Sequence, residues 1–82
     1  MPRHGWIQDP STQDTKRFHP DEKSWNRDPR VFVDSGRPLP DQPPLLTTRV
    51  HLRRETAEQL WKELLRVGWQ PCRPQWGADV DI

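Results

Sequence analysis

The fold is decided by residues 47–69, TTRVHLRRETAEQLWKELLRVGW, in which the hydrophobic period changes once. Thr48, Val50 and Leu52 alternate with Arg49, His51 and Arg53, the period of two that marks a strand with one buried face. That alternation gathers the three basic side chains on the open face. From Arg54 onward the period lengthens. Ala57, Leu60, Trp61, Leu64 and Leu65 fall at i, i+3, i+4, i+7 and i+8, one face of a helix, while Glu58, Gln59, Lys62, Glu63 and Arg66 turn to water. Gly68 can take the left-handed conformation that ends a helix, and Arg66 suits the negative end of the dipole. The spacing predicts a helix over about 54–67, closed by a Schellman motif in which Trp69 at C″ meets Leu64 at C3. The start has Glu55 in the first turn but no Ser, Thr, Asp or Asn directly before Arg54 to cap it.

Working outward, Arg30-Val31-Phe32-Val33-Asp34 reads as a strand closed by the turn pair Ser35-Gly36. Gly5–Gln8 and Lys16–His19, around Trp6, Ile7 and Phe18, flank the turn-forming run Asp9-Pro10-Ser11-Thr12-Gln13-Asp14, which predicts a hairpin. Arg37 to Pro44 holds four prolines in eight residues, a composition that favours polyproline II over sheet or helix, so 37–46 reads as a proline-rich connector. Trp69 to Trp76, with Pro71 and Pro74, is at most an edge strand or a tail strapped over the core. The fold expected is α+β: a small antiparallel sheet of three to five short strands packed by one amphipathic helix. It forms a single domain over 5–76, with flexible ends at 1–4 and 77–82.

Composition agrees with one small domain of 82 residues. Only 16 residues are Leu, Ile, Val or Phe, close to the level of disordered chains, but the net charge of +1 lacks the repulsion that keeps such chains open. A domain of this size buries about 60% of its unfolded surface, so the five tryptophans, at roughly 150–250 Å² each, carry much of the core. The longest apolar run, Val31-Phe32-Val33, is too short for a signal h-region or a membrane span, and the lone Cys72 has no partner for a disulfide. The reading is a cytoplasmic protein that does not engage membranes, monomeric or weakly homodimeric.

The run Gly5-Trp6, Arg17-Phe18-His19-Pro20-Asp21, Val31-Phe32-Val33-Asp34, Gly36-Arg37-Pro38-Leu39-Pro40, Pro44-Leu45-Leu46, Leu60-Trp61, Leu64, Gly68-Trp69 and Pro74-Gln75-Trp76 resembles a family of short uncharacterised proteins from marine picocyanobacteria, a domain of unknown function. The resemblance covers about residues 5–76 and implies a stand-alone domain of a cyanobacterial cytosol without an established activity. It also implies a Thr or Ser, able to cap the helix, where this chain has Arg53.

Two groups of residues are candidates for binding. Trp25, in Lys23-Ser24-Trp25-Asn26-Arg27, and Trp76 have polar neighbours and are the tryptophans expected to be exposed; with Arg27 and Arg37 they form a candidate protein-binding set. Arg37-Pro38-Leu39-Pro40-Asp41-Gln42-Pro43 fits the basic-x-x-Pro-x-x-Pro docking pattern, although a stiff connector stacked on one of the chain's own tryptophans is the favoured reading. Arg49, His51, Arg53 and Arg54 form a candidate polyanion site for a nucleic acid, with Glu55 and Glu58 nearby to neutralise it. His4, His19, His51 and Cys72 lie at no metal-ligand spacing, and Ser11, Ser24 and Ser35 sit in no nucleophile context, so neither metal, cofactor nor enzymatic activity is expected. The leading expectation is a non-enzymatic protein-interaction or regulatory module; the alternative is a nucleic-acid or ribosome-associated binder using 49–54.

Overall fold

The computed structural model describes residues 4–24 and 27–77, so the expected flexible ends fall almost wholly outside the described residues. The elements follow as β1 (Gly5–Gln8), β2 (Thr15–Pro20), β3 (Arg30–Leu39), β4 (Gln42–Arg53), α1 (Arg54–Arg66) and β5 (Gln70–Pro71). They build one antiparallel sheet in the order β4-β3-β2-β1-β5 with a single helix, the α+β architecture expected. The β1–β2 hairpin runs from Gly5↔Phe18 to Gln8↔Thr15. Asp9 organises its loop: the side chain accepts the Ser11 N–H at 2.8 Å and the carbonyl accepts the Gln13 N–H at 2.8 Å, while Gln13 takes φ 69°.

The proline-rich segment is the main correction. Residues 37–46 are not a polyproline II connector but the distal half of a long β3–β4 hairpin, turning at Pro40-Asp41 with Asp41 at φ 55°. Pro43 and Pro44 are tolerated because β4 lies at the sheet edge, and Pro38 because β3 has run past its last pairing with β2 at Gly36; the β3–β4 register also slips there, from Arg37↔Leu45 to Leu39↔Gln42, skipping all three. A second slip follows Ser35↔Thr48, leaving Thr47 unpaired, and its hydroxyl donates to the Ser35 carbonyl at 3.0 Å. Gly36 stands at that slip because a Cβ there would meet the Leu45 carbonyl oxygen at 2.7 Å.

Helix α1 starts without a side-chain cap, and a tertiary contact substitutes for it: the Arg54 N–H donates to the Pro29 carbonyl at 3.1 Å. At the other end the Gly68 N–H reaches the Leu65 carbonyl at 3.2 Å and the Trp69 N–H the Leu64 carbonyl at 2.9 Å, with Gly68 at φ 105°. This is the expected Schellman motif, and Trp69 packs against the core beyond it.

Ile7, Phe18, Val31 and Val33 from the sheet meet Ala57, Trp61 and Leu64 from the helix, with Phe18 and Trp61 edge to face at 5.2 Å. Leu52 joins at the margin, but Thr48, Val50 and Leu65, expected on buried faces, are exposed. The cause is the helix path. α1 leaves the β4 edge and delivers the chain to β5 beside β1 at the opposite edge, so the far half of the β3–β4 hairpin has no helix over it.

Candidate nucleic-acid interface on the open sheet face

Strand alternation sends a second set of side chains to the face opposite α1, and the register arranges them in rows. Trp6↔Arg17, Arg17↔Asp34 and Asp34↔Arg49 align one row across β1, β2, β3 and β4. The next row is His19↔Phe32↔His51, and beyond it Arg30↔Arg53. The Arg17 guanidinium lies over the Trp6 ring at 5.6 Å and that of Arg49 over Phe32 at 5.2 Å. His19, Phe32 and His51 stand as three neighbouring rings, with centroid spacings of 5.5 and 4.7 Å.

Asp34 is the anchor of this surface. It is 2% exposed, and its carboxylate accepts Arg49 Nε at 2.6 Å and Nη2 at 3.0 Å, besides His19 Nε2 at 2.8 Å. Burial pushes its carboxyl up, but the bonds from Arg49 and His19 outweigh burial and hold it below the ordinary carboxylate range. Burial lowers the pKa of His19 despite Asp34, so the ring is neutral at pH 7 and donates through Nε2 to a carboxylate that can only accept. His51 bonds Asp21 at 2.9 Å, and Asp21 is kept acidic first by the Lys23 backbone N–H and then by His51. On this face Arg17, Arg49 and Arg53 therefore stand with two carboxylates, Asp34 buried beneath the rows and Asp21 bonded to His51. Flat rings able to stack on bases, beside guanidinium groups able to meet phosphates, are the two components of a single-stranded nucleic-acid surface.

The structure brings together only part of the predicted sets. Arg49, His51 and Arg53 share the open face, as the alternation implied. Arg54 does not: it is the first residue of α1 and pairs along the helix with Glu58 at 3.2 Å. Trp76, expected to be exposed, is 8% exposed, because Cys72 bonds through its N–H to the Trp6 carbonyl and the following tail packs Trp76 edge-on against Trp6 at 4.7 Å. Its indole N–H has no hydrogen-bond partner among the described residues. Trp25 lies outside the described residues, while its neighbour Arg27 is exposed in the β2–β3 loop. Arg37, at the hairpin, binds Asp14 at 2.8 and 3.1 Å. Sequence reasoning missed Arg17, His19, Phe32 and Asp34. Their signal was the alternation of Arg17-Phe18-His19 and Val31-Phe32-Val33-Asp34, whose second face acquires meaning only when the strands are put in register.

Among the described residues no group of three or more His, Cys, Asp or Glu is placed to hold a metal ion, and no helix is long and apolar enough to cross a membrane. No curated protein and no solved structure matches the chain. A family model described as "Protein of unknown function (DUF1651)" does match it, over residues 4–76, nearly the whole of the domain, and the chain belongs to that family.

Proposed function

We propose that this protein is a non-enzymatic binding module that holds single-stranded nucleic acid on the sheet face opposite its helix, in the cytoplasm of a cyanobacterium. One observation carries the reading: Arg17 and Arg49 lie over aromatic rings, His19, Phe32 and His51 form a row of rings, and Asp34, the carboxylate that Arg49 and His19 share, is buried. Base stacking on such rings contributes about 1–3 kcal/mol per base, and arginine contacts to phosphate add a salt-dependent attraction. The test is fluorescence polarisation of a labelled oligouridine against the purified protein at about 50 mM salt, where phosphate contacts are strongest. Binding should weaken steeply by about 200 mM salt and fall in the R17A and R53S variants, neither of which removes the Arg49 or His19 bonds to Asp34. No binding at low salt, or unchanged binding by both variants, overturns the reading.

A protein partner is the second reading. Leu45, Val50, Leu65 and Val67 are large apolar side chains left exposed, and Arg27 is exposed in the β2–β3 loop. A tagged chain recovered from its native cells after nuclease treatment distinguishes the two. A partner retained after nuclease supports protein binding; one lost with the nucleic acid supports the first reading.

A further inference from the structure

On the helix side of the sheet, one row departs from the chemistry of its neighbours. Ile7, Phe18, Val31, Val33 and Leu52 are apolar, yet the row beyond Phe18 and Val33 runs Lys16↔Ser35↔Thr48 across β2, β3 and β4. This row borders a cleft of about 430 Å³, lined also by Arg37 and Thr47 and walled by Trp69. The cleft exists because α1 ends in its Schellman turn short of the β3–β4 hairpin, setting Trp69 on one side and the hairpin on the other.

Apart from the Asp14 carboxylate, the polar side chains of the cleft are all able to donate. The half-buried Lys16 ammonium donates to Ser35 Oγ at 2.7 Å and lies 6.0 Å from the centre of the Trp69 ring. Because Ser35 accepts from Lys16, its own hydroxyl proton is free to be offered to something else, next to the Thr48 hydroxyl. Asp14 is the carboxylate of the cleft, and it is held by the Arg37 fork at 2.8 and 3.1 Å at the exposed mouth. Lys16 has no carboxylate within ion-pair distance among the described residues; burial lowers its pKa and Asp14 only partly opposes this. A lysine desolvated on the apolar side of a sheet, beside two hydroxyls and an indole, is an arrangement that an anion would complete.

We propose that this cleft binds a small oxyanion carried on a flat ring, of the size class of a mononucleotide, with the oxyanion on Lys16, Ser35 and Thr48 and the ring against Trp69. The volume falls in the range of small-ligand sites, roughly 300–1,000 Å³. The site lies on the opposite face from the proposed nucleic-acid surface and does not depend on it. The occupant need not be a phosphate, since a carboxylate on an aromatic ring presents the same two elements.

The experiment is a titration of the full chain followed by amide and indole NMR shifts, in phosphate-free buffer, with adenosine monophosphate, adenosine, inorganic phosphate and nicotinate as separate probes. The expected result is saturable movement of Lys16, Ser35, Thr48 and the Trp69 indole with a Kd near or below about 1 mM for adenosine monophosphate or nicotinate. Adenosine alone and phosphate alone should each bind at least tenfold more weakly. Which of the two anions binds more tightly identifies phosphate or carboxylate as the natural oxyanion. K16M should weaken binding at least tenfold, and T48V, at an exposed position where folding is not at stake, should weaken it by a smaller factor. The proposal is overturned if neither anion moves these signals by 10 mM, if adenosine binds as tightly as its phosphate, or if a folded K16M or T48V variant binds like the parent.

Discussion

Replacing Arg49 by Met should destabilise the protein by about 3 kcal/mol at pH 7, and by clearly less at pH 4.5. The magnitude follows from the surroundings of Asp34, which at 2% exposure has no water to replace what Arg49 supplies. Two charge-assisted bonds, at 2.6 and 3.0 Å, are lost together, and only the neutral His19 remains as a donor. Removing one partner of a buried pair costs about 3–5 kcal/mol. The low end applies because the Arg49 side chain is 33% exposed and part of its attraction is screened by water. The pH dependence supplies the check on mechanism. In the parent, the Asp34 carboxyl is held below its unfolded value, so its contribution is present above the unfolded pKa and disappears as pH falls through the folded one. In the variant, burial is opposed by His19 alone, the carboxyl rises above its unfolded value, and acid relieves the penalty by protonating it. Urea unfolding at pH 7 and pH 4.5 measures both differences. A loss under about 1 kcal/mol at pH 7, or an equal loss at the two pH values, would refute the argument that Asp34 is a buried carboxylate dependent on Arg49. The double variant R49M/D34L, which removes both charges, should recover most of the loss.

Three further outcomes are expected. Gly36→Ala should cost about 1–3 kcal/mol in urea melts, since the new Cβ would press on the Leu45 carbonyl oxygen at 2.7 Å and on Leu46 Cδ2 at 2.8 Å, and the first of these is backbone that cannot swing aside. Arg53→Ser should raise stability by about 0.5–2 kcal/mol, because Arg53 already has the extended cap geometry, φ −63° and ψ 150°, but makes no side-chain cap bond. Thermal melts would show it, even as the same change weakens nucleic-acid binding. Stability should also fall between pH 7.5 and pH 5.5: the folded His19 resists protonation, so the unfolded chain takes up more protons as pH drops through the ordinary histidine value. Urea midpoints across that range should decline in the parent and decline less in H19Q, and parallel slopes in the two proteins would contradict the assignment.

How much of this was legible depended on the distance in sequence over which each cause acts. The helix, its glycine ending and the Trp69 contact were readable because their partners lie within five residues of one another, as in the bond from Trp69 to Leu64. The first hairpin was readable from a turn rich in Asp, Pro and Ser between two short strands. The proline segment was misread because proline chemistry was judged without knowing the strand's place in the sheet. With Pro43 and Pro44 on the edge strand, Pro38 beyond the end of β2, and the register slipping past all three, the missing N–H groups are accommodated. Trp76 was misread for a similar reason: its neighbours in sequence are polar, while its neighbour in space is Trp6, seventy positions away.

The sequence by itself determined that this chain makes one α+β domain, with a helix over about 54–67, which the structure ends at Arg66, and basic side chains in alternation before it, because periodicity and capping are local properties of the backbone. Only the tertiary structure decided which residues act together. Asp34 with Arg49 and His19, Arg17 with Trp6, and Lys16 with Ser35 and Trp69 are each brought together by strand register or by the helix path. A one-residue slip in any strand pair would send these side chains to the opposite face. The register is held by burial of Ile7, Phe18 and Val33 beneath the helix, so the packing of the apolar face places the charged groups of the other.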